Sequence, residues 1–345
     1  MKSNINNYQK LVRNALNGIS NQRTKDIVSL RYGLGDGQKK TLEEIGQKYG
    51  ITRERVRQIE TAAFFDLKNS SSVNLLKPVF KTIDNFLNRE GRVIREERLL
   101  SSITGIEESH PEKGAIFFAL TLGEPYRRLV DSDRFHPLWT NSDESLEKAE
   151  NFIDFLINQI KQGDKVVSFD HILDYAKEWQ EALDKKALAS YLDAAKKISQ
   201  NNFGHFGLSH WPEINPRGAK DKAYVALKQH GQPLHFREVT DLINQAGLGS
   251  SLAQAQTVHN ELIKDERFIL VGRGIYALRD WGYQPGTIKD VIAKILSENG
   301  SLTKDEIVKK VMEKRIAKPN TILINLQNKG YFTKDEQSRY SLVKK

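Results

Sequence analysis

The stretch Leu42–Thr61, LEEIGQKYGITRERVRQIET, dictates its own local structure residue by residue. With Thr41 ahead of it, the segment Thr41-Leu42-Glu43-Glu44 matches a capping box. The Thr41 hydroxyl accepts from the third helical N–H, and Glu44 reaches back to the backbone of the cap. A helix therefore begins at Leu42. Ile45 and Tyr49 share one face of it, Gly50 ends it in a left-handed conformation, Ile51 plugs the corner, and Thr52 caps a second helix. On that second helix Val56, Ile59 and Ala63 fall at i, i+3 and i+7 and turn inward, which leaves Arg53, Glu54, Arg55, Arg57 and Gln58 facing out.

An outward row of forked and amide donors near a helix N-terminus is what a major-groove reader requires, with cations beside it for phosphates. The same row also fits a solvated, salt-bridged surface, because Arg53 and Arg57 can pair with Glu54 and Glu60. Periodicity by itself does not choose between the two.

The identity of the residues adds to this. From Gly18 to Lys68 the chain closely resembles region four of the housekeeping bacterial sigma factors, a promoter-binding helix-turn-helix domain. RYGLG (Arg31–Gly35), TLEEIG (Thr41–Gly46) and TRERVRQIE (Thr52–Glu60) stand in the family's order and spacing. The resemblance implies that Arg53, Glu54 and Gln58 contact bases of a minus-35 element and that Arg55 and Arg57 lie at the phosphate backbone. The expected DNA-binding set is Thr41, Lys48, Thr52, Arg53, Glu54, Arg55, Arg57 and Gln58, joined by Arg273 further along. One departure matters: the family's basic helix tail is replaced by Thr61, Ala62, Ala63, Phe64, Phe65 and Asp66. Fewer phosphate contacts follow, so affinity leans on other parts of the chain.

A length of 345 residues predicts two or three domains of ordinary size, or more modules if they are small. With 39% hydrophobic and 28% charged residues the composition is that of a soluble globular protein. No apolar run approaches a membrane span, and MKSNINNYQK lacks the apolar core of a signal peptide, so a cytoplasmic location is expected. There is no Cys, and the 8 His are scattered, which argues against disulfides and bound metal. The net charge of +9 is unevenly placed. Residues 1–68 and 285–345 each carry 13 Lys/Arg against 7 Asp/Glu, whereas 69–284 carry 27 against 30. Counterion release favours the two ends as phosphate-binding surfaces and the middle for protein contacts, although lysines at the C-terminal end also serve solubility.

Residues 1–34 read as supporting helices, the first with a Leu11, Ala15 and Leu16 stripe and the second with Ile27, Leu30 and Arg31. The loop Gly33–Gly37 is a connector, since neither a strand nor a P-loop lysine accompanies its glycines. Asn69-Ser70-Ser71-Ser72 breaks the helical pattern and marks a first boundary. Beyond it a repeat of roughly 70 residues emerges. Gly91, Gly163, Gly231 and Gly300 each follow an amphipathic helix and precede a short apolar stretch and another helix, and each copy closes on an aromatic-bearing β segment. Helix, strand, helix, helix and hairpin is the order of a winged helix. The predicted fold is mainly α with short β-hairpins (α+β). The predicted domains are a helix-turn-helix at 1–70 and winged-helix modules at 73–142, 145–213, 216–283 and 285–345.

In the third module Phe268–Val271 and Ile275–Leu278 read as strands joined by a three-residue loop, Gly272-Arg273-Gly274. PLHFREVTDLI (Pro233–Ile243) and DERFILVGRGIYALRDWGY (Asp265–Tyr283) make residues 219–283 resemble the HARE-HTH module, a winged helix of the RNA polymerase delta subunit, some restriction enzymes and chromatin proteins. Its third helix exposes Gln254, Gln256, His259 and Asn260 with few cations. Trp139, Trp211 and Trp281 are expected in packing rather than in base stacking. No nucleophile elbow, metal-ligand spacing or nuclease-type cluster is present, so no catalysis, cofactor or small-molecule substrate is expected. The expected partner is double-stranded DNA, with RNA polymerase a further one. The reading is a promoter-DNA reader in transcription initiation or its regulation; the alternatives are a delta-like polymerase accessory subunit or the specificity component of a restriction or defence system.

Overall fold

The computed structural model describes residues 7–179, 183–249 and 251–343. It opens with four helices: α1 (Tyr8–Ala15), α2 (Gln22–Tyr32), α3 (Leu42–Tyr49) and α4 (Arg53–Asn69). Asn7, Asn21, Thr41 and Thr52 cap them through their side chains, each accepting from a backbone N–H in the first turn. The stripe of α1 differs from expectation by one position. Val12, not Leu11, is the fully buried residue, because Tyr8, Val12 and Ala15 recur at i, i+4 and i+7.

The next pattern occurs four times. Its first copy is α5 (Lys77–Glu90), β1 (Val93–Arg95), α6 (Glu96–Thr104), α7 (Pro111–Leu122), β2 (Arg127–Leu129) and β3 (Leu138–Thr140). All pairings are antiparallel, in the order β1-β3-β2, so the first strand lies against the last. β2 was not legible in the sequence, where Tyr126-Arg127-Arg128-Leu129 shows no alternation. The second copy has α8 (Asp143–Gly163), α9 (Phe169–Glu178), α10 (Lys185–Ala194), β4 (Ile198–Gln200) and β5 (Phe206–Leu208), and its first strand is reduced to a bridge between Val167 and Phe206.

The third copy is α11 (Gly218–His230), β6 (Leu234–His235), α12 (Phe236–Gln245), α13 (Ala255–Lys264), β7 (Phe268–Gly272) and β8 (Ile275–Leu278). The fourth is α14 (Ile288–Asn299), β9 (Leu302–Thr303), α15 (Lys304–Lys314), α16 (Pro319–Leu326), β10 (Phe332–Lys334) and β11 (Arg339–Leu342). Both repeat the sheet order of the first copy. The fold is thus mainly α with short antiparallel hairpins, a helix-turn-helix followed by tandem winged helices. Three of the repeat's glycines end the first helix at positive φ, while in the second copy Asp164 takes that conformation in place of Gly163.

The hairpin of the third copy corrects the expected loop. Gly272 pairs with Ile275 and belongs to β7, a bulge falls between Leu270 and Gly272, and only Arg273 and Gly274 form the turn. Gly274 sits at φ 70°, and a Cβ there would lie 2.7 Å from His235 Nε2. A bulge raises the local twist and re-aims the strand end, which is how two residues close a loop expected to need three. Trp139 is buried in β3 and donates from Nε1 to Glu96 at 2.9 Å, while Trp281 packs half-buried under β7 and β8.

The described residues fall into two compact units, one running to Ser199 with Phe206–Ser209 and the other made of Gln200–His205 with His210 onward. In the first unit one hydrophobic core runs from Tyr8, Val12 and Tyr32 through Ala63 and Leu67 to Leu99, Phe118 and Trp139. The Asn69–Ser72 break is therefore a break in helix, not in core: a 3-10 turn at Ser71–Leu76 carries buried Leu76 across it.

In the second unit the last two copies keep separate cores but share a strand-like seam. Ile316 N donates to Val271 O at 3.0 Å and Gln284 N to Lys314 O at 3.1 Å. Arg315 is buried between them and donates to Leu270 O at 3.0 Å, its guanidinium pKa lowered by burial. Arg315→Met keeps the bulk and removes the donor, so it is expected to cost about 1–3 kcal/mol, read as a lower urea midpoint.

Candidate nucleic-acid interface

The helix-turn-helix corner is built from its caps inward. Glu44 N donates to Thr41 Oγ1 at 3.1 Å, Thr41 N donates to Glu44 Oε2 at 2.7 Å, and Arg55 N donates to Thr52 Oγ1 at 3.2 Å. Between the helices Gly50 sits at φ 65°, and at Gly46 an added Cβ would stand 2.6 Å from Ile51 O. Only glycine lets the two helices close at that distance. Ile27, Ile45 and Val56 fill the angle, with Leu42, Tyr49 and Ile59 packed around them. Arg23 reinforces the corner by donating to Tyr49 O at 2.9 Å, a contact that sequence periodicity had no means of indicating.

The Thr41 backbone N–H and hydroxyl hold the Glu44 carboxyl below the usual carboxylate range. A depressed folded-state pKa gives stability that is present above the unfolded value, about 4.3 for Glu, and is lost as pH falls through the folded value. The melting temperature is expected to drop below about pH 4, and Glu44→Gln should remove part of that drop.

On this scaffold Arg53, Glu54, Arg55, Arg57 and Gln58 are all exposed along the first two turns of α4. They are not equivalent. Arg57 forms a fork on Glu54, at 3.0 Å from Nε to Oε2 and 2.7 Å from Nη2 to Oε1. That hydrogen bond lowers the Glu54 pKa and raises that of Arg57. Arg55 Nη1 donates to Gln58 Oε1 at 3.1 Å, which leaves the Gln58 amide NH2 free to donate. Among the described residues Arg53 has no ion pair or hydrogen-bonded partner for its guanidinium. The salt-bridged surface anticipated as an alternative is thus present in part, yet it orients Arg57 and leaves the Arg53 fork open.

Lys48 is exposed on α3, and Thr41 caps that helix. The structure brings both together with the α4 row in one helix-turn-helix. Arg273 lies in the second unit, exposed at the turn between β7 and β8.

The Phe64 tail, which departs from a basic helix end, has a structural use. Phe64 stacks on Phe118 of α7 with centroids 5.4 Å apart, and Tyr32 meets both rings edge-on. Burial and the Glu60 carboxylate, which accepts from Tyr32 Oη at 2.6 Å, keep the Tyr32 phenol protonated. Gly114 on α7 approaches α2 so closely that a Cβ would lie 2.3 Å from Tyr32 O. The polar half of α4 that carries Arg53–Gln58 is therefore held on a shaft locked to the first winged helix. Sequence reasoning missed this dock. Its signal was the pair of adjacent aromatics where cations were expected.

The third helices of the first two copies are occupied as packing struts. In α7 both Glu112 and Lys113 are buried, the latter donating to Glu97 and to Glu107 O at 2.6 Å each. In α10 Ser190 donates to Val93 O at 2.7 Å, and Ala187 abuts Gly91. In the third copy His259 of α13 stacks on Phe236 at 4.3 Å, and Gln256 donates to Asn260 at 3.1 Å.

These features define a helix-turn-helix domain set on winged helices. Comparison with known proteins agrees for two segments. Residues 21–69 match the family model of sigma-70, region 4, and residues 219–281 match that of HARE-HTH, a helix-turn-helix domain named in part for ASXL and restriction endonuclease. The chain thus carries a sigma region-four domain and a HARE-HTH domain. The chain is similar to RNA polymerase sigma factor SigA1 of Synechococcus elongatus, 46% identical over 72 residues, which is 20% of this chain and 18% of the relative. It is also similar to SigA of a Nostoc species, 53% identical over 55 residues (16% and 14%), and to sigma factor sigB of Arabidopsis thaliana, 51% over 55 residues (16% and 10%). The chain spans less than a fifth of the length of these curated relatives. Among the described residues no helix is long and apolar enough to cross a membrane.

Proposed function

We propose that the chain is a sequence-specific double-stranded DNA-binding protein acting in transcription initiation or its regulation, in which α4 reads promoter-like DNA at the nucleoid. The observation that supports this reading most directly is the exposed row on α4 with Arg53 unpaired and Arg57 pre-oriented by Glu54. Arg53, Glu54 and Gln58 are assigned to base edges, Arg55 and Arg57 to phosphates, and Thr41, Lys48 and Thr52 to the flanking backbone. The role is one of recognition, without a catalytic step or cofactor. The proposed organisation is five modules, 1–70, 73–142, 145–213, 216–283 and 285–345, of which the second packs against the first and the third against the second.

Selection of bound duplexes from a random library tests the reading. Enrichment of a motif resembling a minus-35 hexamer supports it, and recovery of an unenriched pool overturns it.

A second reading, a delta-like accessory subunit that grips RNA polymerase, is favoured by the HARE-HTH match and by the spent third helices of the first two modules. Co-purification with polymerase together with duplex binding no tighter than a neutral control at low salt would select it.

A further inference from the structure

The four winged-helix copies make different uses of the helix that occupies the reading position in this topology. In the first two it is covered by neighbours within its own unit, and in the third Glu261 is half-buried while a self-paired Gln256 and Asn260 are exposed beside Thr257, Ile263 and Lys264. The fourth differs in carrying no charge on the helix itself and a lysine on either side of it. α16, with the sequence PNTILINL, contains no charged residue, and it buries Ile322 and Leu326 while Asn320, Thr321 and Ile324 remain exposed at i, i+1 and i+4 on its outer face. Ile324 is 66% exposed. The helix is bracketed by cations: Lys314 closes α15, Lys318 is the cap residue of α16, and Lys329 follows its end.

None of these three lysines makes an ion pair among the described residues, and within this module the lysine pair that does form is Lys294 with Glu298 at 4.0 Å. An amide, a hydroxyl and an aliphatic tip in the first turns of such a helix match base edges and the thymine methyl, and unpaired lysines at both ends match phosphates.

We infer that α16 and its flanking lysines form a second duplex-binding surface, separate from the reader on α4. Charge complementarity identifies the occupant as nucleic acid phosphate, and the uncharged face between the lysines identifies a groove. This surface does not depend on the proposed role of α4, and it supplies phosphate contacts that the altered tail of α4 does not.

The test uses the full-length chain and a 30-base-pair duplex of mixed sequence, with binding followed by fluorescence anisotropy across a salt series. Arg53→Ala, Arg55→Ala and Arg57→Ala together remove the guanidinium contacts assigned to the first surface. In that background Lys318→Ala with Lys329→Ala is expected to reduce the slope of log affinity against log salt by about 2, close to 0.9 per lost phosphate contact. Ile324→Glu should weaken binding further without moving the melting temperature, because the side chain is exposed. If the background variant loses all duplex binding, or if the lysine changes leave its slope where it was, the inference is overturned while the reading of α4 stands. If only the lysine changes matter and Arg53, Arg55 and Arg57 do not, the reading of α4 fails and this one holds. Displacement of the duplex by polyglutamate at equal charge concentration would assign the surface to acidic protein and also overturn the inference.

Discussion

Phe118→Ala is expected to lower the stability of the first unit by about 3–5 kcal/mol, the usual cost of emptying a fully buried aromatic site that cannot collapse. The site cannot collapse because Phe118 is wedged between Phe64 of α4 and Tyr32 of α2, at 5.4 Å and 5.3 Å between centroids. Tyr32 is in turn held by Glu60, and the α7 backbone already stands as close to α2 as Gly114 permits. Equilibrium urea unfolding followed by tryptophan fluorescence measures the loss, since Trp139 lies edge-on to neighbouring Phe117 in the same core. A loss below about 1 kcal/mol would show that the helix-turn-helix stands without this dock. Gly114→Val attacks the same contact from the other side, by overpacking, and should shift the transition in the same direction.

Arg53→Ala is expected to leave non-specific affinity nearly intact while cutting discrimination between the selected duplex and a scrambled one by about 1–3 kcal/mol, roughly five- to 150-fold. Arg57→Ala should do the converse, weakening every duplex alike and reducing the salt slope by about one. The two residues lie one helical turn apart and both are exposed. What separates them is the partner: Arg57 is forked on Glu54, and Arg53 offers its guanidinium to whatever enters the groove. Competition anisotropy with specific and scrambled duplexes at two salt concentrations reads both quantities. Equal loss on both duplexes for Arg53→Ala would remove it from base reading. Glu54→Gln provides the check on the fork, since it weakens the hold on Arg57 and should bring the Arg57 contribution down with it.

Much of the helix-turn-helix geometry was legible because its determinants are local. A threonine cap, a glutamate three residues on, a glycine at the corner and a second threonine cap each act over one turn of helix, and each forms as the chain order dictates. The repeat was legible for a similar reason, since an amphipathic helix ended by glycine leaves its mark on sequence periodicity. What was misread involved pairings between distant segments or choices of a single position. β2 is three residues whose strand pairing is to the distant β3, the β7 bulge depends on how β8 arrives, and the buried residue of α1 is selected by the surfaces that cover it.

From its order of residues alone, the chain determined where helices start and stop, which face of α4 is polar, and that one architectural pattern occurs four times. Those properties follow from capping, backbone sterics and apolar periodicity, which operate within a few residues. Only the tertiary structure decided which polar faces stay free. Glu112 and Lys113 of α7 are as hydrophilic in sequence as Glu54 and Arg55, yet they are buried, Glu112 accepting from Gln9 N of α1 at 3.0 Å and Lys113 donating to Glu97 and to Glu107 O. Exposure is a property of what the rest of the chain covers, and non-local packing settles it.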